Sequence, residues 1–277
     1  MHVSLATHGE FLSALKSAKA VALCAYVLPA GSAVVRALEE AADRGARVVV
    51  RLDGSPYFGP ASKDAPNPNV TSAAALRAHG AQVSLSEPGD APVHLKAAVV
   101  DGRTFLDDRN WPASGGDTVV ASDDSRAARS VGDAIDGRPH SEADLALQKA
   151  AALALEAATI RSGQHGHIDV ASESFGSGVI SDALCERAQA GATVRLEIDA
   201  RVLSHDAHGR ERAALARLIA AGVVVRAVAS SEKFAVAGGR ASWLGSANAT
   251  ASDGGMLDWG VRSDDTRLAG TLGACRA

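Results

Sequence analysis

Apolar runs recur along the chain in a repeating order, punctuated by glycine. "VALCAYVLPAGSAVVRALEEAADRGARVVVRLD" (Val21–Asp53) opens on an apolar run and turns at a glycine. It continues with apolar residues at helical spacing, stops at Gly45 and closes on an alternating run. This pattern predicts a strand, a helix and a second strand. "HIDVASESFGSGVISDALCERAQAGATVRLEID" (His167–Asp199) predicts the same three elements with a stop at Gly191, and the two stretches align without a gap. "ALRAHGAQVSL" (Ala75–Leu85) and "RLIAAGVVVRAV" (Arg217–Val228) each predict the end of a short helix, a stop glycine and a strand. "HLKAAVVDGRTFLDDRN" (His94–Asn110) then matches "SEKFAVAGGRASWLGSAN" (Ser231–Asn248), and "DTVVASDD" matches "DWGVRSDD".

Two copies of a β-α-β-α-β-β pattern predict an α/β protein of two similar lobes related by a pseudo-twofold. Each lobe should be a mostly parallel or mixed sheet flanked by helices. The repeat is too long for a solenoid period. The expected division is residues 1–121 for the first lobe, 122–140 for a polar linker and 141–277 for the second lobe. Each lobe should open on a helix behind a capping signal: Thr7 with Glu10, and Ser141 followed by an apolar-periodic run to Ile160.

Composition narrows the function classes. A net charge of −4 argues against sequence-blind coating of nucleic acid, though not against a small basic cleft. With 4% aromatics, Ala, Val and Leu must make most of the core. Cys24, Cys185 and Cys275 are scattered and odd in number, which fits neither a disulfide framework nor a zinc set. Buried thiols and a reducing, cytoplasmic setting are expected. "LKSAKAVALCAYVLPAGSA" resembles a secretory signal, but its internal counterpart Ile168–Ser174 marks it as a core strand. No apolar run approaches the roughly 20 residues of a membrane span, so no integral membrane segment is expected.

Within the repeat, His94, Lys96 and Asp101 stand at the spacing H-x-K-x-x-x-x-D, and "GSAN" (Gly245–Asn248) stands in the second copy. The duplicated pattern with these motifs resembles the phospholipase D superfamily over nearly the whole chain. That family carries one H-x-K-x-x-x-x-D motif followed by G-S-x-N per lobe, with the two motifs meeting between the lobes. The resemblance implies a metal-independent attack by His on a phosphodiester, giving a phosphohistidine. Lys and Asn stabilise the phosphate oxygens, and a second His acts as acid and then base. No metal or other cofactor is implied.

Carried over, the resemblance makes His94 the nucleophile and Lys96 a phosphate ligand. Alternation along a strand sets both on one face. Asp101 matches the motif Asp and Asn110 the Asn of G-S-x-N. Asp107 and Asp108, however, replace Gly and Ser, and the spacing is one residue short. Those carboxylates either point away from the phosphate or weaken this lobe's grip on it. In the second copy Lys233, Ser246 and Asn248 are kept as expected phosphate ligands, while Ser231 replaces the His and Gly238 the Asp. Asp117 and Asp258 follow the two motifs, and either would orient His94 by fixing its tautomer.

Other features have weaker chemistry. His205 and His208 follow a strand ending at Asp199, where a substitute acid would be placed, but they read first as loop histidines. His165 and His167 lack a third metal ligand. "FGSGVIS" (Phe175–Ser181) resembles part of a dinucleotide fingerprint without its third glycine.

The expected function is a phospholipase D-like phosphodiesterase working through His94. Its partner would be a phosphodiester substrate, either a phospholipid or a nucleic acid, and the chain would be a monomer or a homodimer. The alternative is a pseudoenzyme that binds a phosphate-containing ligand through Lys96, Lys233, Ser246 and Asn248 without turnover.

Overall fold

Val-rich alternation becomes strand wherever β-branched side chains can cover one face of a sheet. In the computed structural model, which describes residues 1–57, 66–87, 89–111, 118–163, 166–204, 206, 209–251 and 255–274, the first half follows its pattern. It forms β1 (Ser4–Ala6), α1 (His8–Ser17), β2 (Ala20–Ala25), α2 (Ala33–Asp43), β3 (Arg47–Leu52) and α3 (Pro68–Ala78). These are followed by β4 (Gln82–Leu85), β5 (Ala97–Val100), β6 (Arg103–Asp107), β7 (Val119–Ser122) and α4 (Ser125–Ile135). The strands make one sheet in the order β1-β7-β6-β5-β2-β3-β4. β2, β3 and β4 are parallel, as helical crossovers require. The pairs β2–β5, β5–β6, β6–β7 and β1–β7 are antiparallel.

The second half forms β8 (Leu145–Gln148), α5 (Lys149–Ser162), β9 (His167–Ser172), α6 (Val179–Gln189), β10 (Thr193–Asp199) and α7 (Ala200–Ser204). It continues with α8 (Arg210–Ala220), β11 (Val224–Val228), β12 (Phe234–Ala237), β13 (Ala241–Gly245), β14 (Leu257–Ser263) and α9 (Thr266–Ala274). Its sheet order, β11-β10-β9-β12-β13-β14-β8, repeats the first sheet strand for strand when that sheet is read from β4 to β1. The expected mixed α/β lobes are therefore present in both halves.

Each sheet packs its apolar face under helices. On β3, Val48, Val50 and Leu52 are buried, and α2 presents Val34, Val35, Leu38 and Ala41 to the same core. Ser32 caps α2 by accepting from the Val35 N–H at 3.2 Å. Phe11 on α1 stacks on Trp111 at 4.3 Å. In the second half Ile180 and Leu184 on α6 and Leu215 and Leu218 on α8 bury against Val194, Leu196 and Ile198 of β10. The stop glycines Gly45 and Gly191 have φ of 87° and 88°, a left-handed exit that favours glycine.

Four sequence expectations change. The gapless repeat needs a one-residue gap. Cys24 pairs with Ala97 and Ala171 with Phe234, so β2 matches β9 with Tyr26 opposite Glu173 in the repeat, not Ser172. The extra residue lies in the loop before α2. Residues 122–140 are more than a polar linker: they complete β7 and form α4, whose Ala127, Val131, Ala134 and Ile135 are buried. The capping box at Thr7 is present, but Ser141 caps nothing. Leu145–Gln148 instead joins the sheet beside β14, and α5 starts only at Lys149. Finally, the chain divides into His2–Glu142 with Gly255–Asp258, and Met1 with Ala143–Gly254 and Trp259–Ala277. A four-residue piece of the second half thus belongs to the first unit.

Among the described residues no helix is long and apolar enough to cross a membrane. Cys24 and Cys185 are free and buried. Burial pushes the Cys24 thiol up to about 12, so it stays protonated at neutral pH. Cys275 lies outside the described residues.

Candidate functional site

The first unit gathers its chemistry just before β5. Val93 bridges Leu257, and the Leu257 N–H donates to the Pro92 carbonyl at 3.0 Å. This short pairing sets Asp258 beside His94, with Asp258 Oδ2 3.1 Å from His94 Nδ1. The Asp258 side chain is 1% exposed, whereas that of His94 is 20% exposed. Asp53, just beyond β3, fixes the same segment from below. Its Oδ2 accepts the Val93 N–H at 2.8 Å, and its Oδ1 accepts the Ser55 N–H at 2.8 Å.

Lys96 Nζ lies 2.8 Å from His94 Nε2 and 2.9 Å from Nδ1. An ammonium has donors and no acceptor, so it must meet a ring nitrogen that carries no proton. With Nδ1–H donating to Asp258, that nitrogen is Nε2. In that tautomer the imidazole is neutral and its Nε2 lone pair is engaged by the Lys96 ammonium. Tyr26 completes the wall: its ring meets His94 edge-on at 4.9 Å, and Lys96 Nζ stands 5.6 Å from its centroid. The Tyr26 hydroxyl donates to the Tyr57 carbonyl at 3.1 Å. Burial raises its pKa, which keeps the phenol neutral.

The other expected residues of this unit serve its framework. Asp101 sits in the β5–β6 turn, at the opposite end of β5 from His94. Its carboxylate accepts the Lys19 N–H at 3.0 Å and the Ala20 N–H at 2.8 Å, clamping the start of β2. It has φ 47° and Gly102 has φ 87°, the twin positive values of a tight two-residue hairpin. Asp101 thus holds backbone at the end of β5 away from His94, the supporting place expected of a motif Asp. Asn110 Oδ1 accepts the Val27 N–H at 3.2 Å, which ties its loop to the residue after Tyr26. The carboxylates of Asp107 and Asp108 turn into their own loop. Asp107 accepts from the N–H groups of Arg109 and Trp111, at 2.7 and 2.5 Å, and Asp108 accepts from Thr118 N–H at 3.1 Å. Asp117 lies outside the described residues.

The second unit uses the same scaffold with other side chains. Lys233 Nζ donates to the Ser231 carbonyl at 3.0 Å and pairs with Glu173 Oε2 at 3.1 Å. The Lys233 side chain is 3% exposed and that of Glu173 is 36% exposed. Asn248 Oδ1 accepts the Ser174 N–H at 3.3 Å, the counterpart of the Asn110–Val27 bond. Ser246 Oγ accepts the Trp259 N–H at 3.3 Å. Gly245 is a packing glycine: a Cβ there would meet the Trp243 ring and stand 2.6 Å from the Trp259 carbonyl. The glycine-containing "FGSGVIS" braces this loop, because the Gly176 N–H donates to the Ala249 carbonyl at 2.9 Å. His165, His205 and His208 lie outside the described residues, and no cluster of metal-ligating side chains occurs among those described.

Sequence reading missed Tyr26, Asp53 and Glu173. All three sit just past the C-terminal ends of parallel strands, where α/β sheets place their sites. That position was the available signal. The one-residue slip in the repeat obscured it by setting Tyr26 against Ser172.

No family model matches the chain, and no curated protein matches it. Among solved structures, a polyphosphate kinase from Porphyromonas gingivalis matches with TM-score 0.67 and 16% identity, over 99% of this chain and 49% of its own. A phosphatidylserine synthase from Haemophilus influenzae Rd KW20 matches with TM-score 0.66 and 10% identity, over 98% of this chain and 84% of its own. Nuc from Salmonella typhimurium, a phospholipase D family member, matches over 44% of this chain with TM-score 0.40 and 20% identity. The chain spans about half the length of the polyphosphate kinase.

Proposed function

Since the chain has a phospholipase D-type fold in two mixed α/β lobes, we propose that it is a phosphodiester-cleaving or phosphoryl-transferring enzyme whose nucleophile is His94. One observation carries this reading: Asp258 lies 3.1 Å from Nδ1 of the His94 imidazole, and Lys96 Nζ lies within 2.9 Å of both its nitrogens. Asp258 holds the proton on Nδ1 and stabilises the charge that the ring gains on attack. Nε2 forms the bond to phosphorus as the P–O bond to the leaving group breaks. The alkoxide departs with a proton from solvent. Lys96 transfers its hydrogen bond from Nε2 to a phosphate oxygen, freeing the lone pair as the substrate arrives. Water then attacks the phosphohistidine and loses its proton to solvent as the N–P bond returns its electrons to Nε2.

The substrate classes are a phospholipid and a nucleic acid. Asn110, Ser246, Asn248 and, once released from Glu173, Lys233 remain proposed phosphate ligands on the strength of the sequence resemblance. A second reading, a phosphate-binding protein without turnover, is favoured by Ser231 standing where a second His is expected. Loss of a general acid costs about 10²–10⁴ in rate.

The test is turnover by the wild type and His94→Ala of a chromogenic phosphodiester, short-chain phosphatidylcholine and single-stranded DNA. Turnover that requires His94 on any of the three supports the enzyme. Tight phosphate binding with no turnover on all three supports the second reading.

A further inference from the structure

The β2–β5 and β9–β12 registers place position 26 of the first unit and position 173 of the second at the same point, one residue past β2 and β9. The scaffold around that point is shared, down to the Asn–backbone bonds at Val27 and Ser174. The side chain differs in kind. Tyr26 gives Lys96 a neutral aromatic face, and Glu173 gives Lys233 a carboxylate at 3.1 Å.

A carboxylate resembles one edge of a phosphate: two anionic oxygens with lone pairs for an ammonium donor. Lys233 is nearly buried, while Glu173 is over a third exposed. The carboxylate therefore stands on the solvent side of the pair, where an incoming anion would have to bind. A phosphate reaching Lys233 must displace Glu173 and also approach its like charge.

We propose that Glu173 is a built-in phosphate substitute that closes the Lys233 anion site of the second unit. Neutralising it opens that site to phosphate. The inference rests on the reading that these lysines serve phosphate groups, but it does not depend on turnover at His94. It adds a control element to the expected role of Lys233, with inorganic phosphate as the simplest ligand.

The test isolates the second unit by removing the first unit's lysine. Phosphate binding is measured by calorimetry for Lys96→Met, for Lys96→Met with Glu173→Gln, and for that pair with Lys233→Met. The proposal expects no measurable binding in the first, at least about tenfold tighter binding in the second, and loss again in the third. Glu186→Gln in the Lys96→Met background controls for net charge and should change nothing. Glu173→Ala replaces Glu173→Gln if the latter fails to fold by its melting curve. Phosphate binding by Lys96→Met alone, no gain from removing Glu173, a gain that survives Lys233→Met, or an equal gain from Glu186→Gln would each overturn it. Loss of phosphate binding from the wild type on Lys96→Met reads the first-unit assignment separately.

Discussion

Lys96 in the first unit lies against His94 and beside the ring of Tyr26, whereas Lys233 in the second donates to the Ser231 carbonyl and pairs with Glu173. The strand order, the stop glycines and the Asn–backbone bonds are the same in both. A duplicated scaffold can therefore keep its architecture while the surroundings of its two lysines diverge, at the histidine and at the residue past β2 and β9 among other positions. The lesson is that motif letters alone misjudge a half-site. Lys233 survives in sequence, but its neighbour decides what its charge can do.

The largest expected effect separates the units outright. His94→Ala should lower turnover of any accepted phosphodiester by at least about 10³–10⁴, whereas Ser231→Ala should change it by less than about threefold. Steady-state kinetics on both variants checks this, and equal losses would break the comparison. Asp258→Asn should cost about 10²–10⁴ in kcat through loss of tautomer control. Its pH profile should change shape as well as height.

Exchanging the distinguishing residue sharpens the comparison. Tyr26→Glu places the second unit's carboxylate beside Lys96 and should reduce activity by about 10² or more. Tyr26→Phe keeps the aromatic face and should stay within about fivefold. If Tyr26→Phe falls as far as Tyr26→Glu, the phenol rather than the neutral face is what matters.

Smaller effects concern the frameworks. Asp101→Ala removes a carboxylate that holds two backbone N–H groups and should cost about 2 kcal/mol of stability, with kcat within about threefold. Chemical denaturation beside kinetics tests both parts. In the second unit, Glu156 on α5 is fully buried, and burial raises its pKa well above the ordinary 4.5. The folded state then holds a proton that the unfolded chain releases above about pH 4.5. Stability from this group is complete below that pH and declines as pH rises toward the folded pKa. Glu156→Gln should remove this decline, so that the fall in Tm between pH 4 and pH 7 is a few degrees smaller in the variant than in the wild type. A decline that persists in the variant would assign it to other groups.

Much of the fold was legible because it is written twice. Two stretches with the same periodicity and the same stop glycines constrain each other, and both sheets emerged in the expected class. The edge strand Leu145–Gln148 was not legible, since a short apolar run before a helix reads as the helix's own first turn. The His94–Lys96 pair could be read from its two-residue spacing, although both residues lie just before β5 and not on a strand as expected. Asp258 was reached by motif position. Tyr26 and Glu173 were not reached, because their equivalence depends on a one-residue loop difference that only strand register reveals. Asp101 matches the motif by spacing, and the hairpin turns its carboxylate onto backbone at the far end of the strand.

The central claim is that His94 Nε2 bonds to phosphorus. Rapid mixing of the wild type with a chromogenic phosphodiester, a quench in base and peptide mapping by mass tests it most directly. The expected product is a base-stable phosphoryl adduct on the peptide carrying His94, absent from His94→Ala. Turnover with the adduct on another residue, or turnover that persists in His94→Ala, would contradict it.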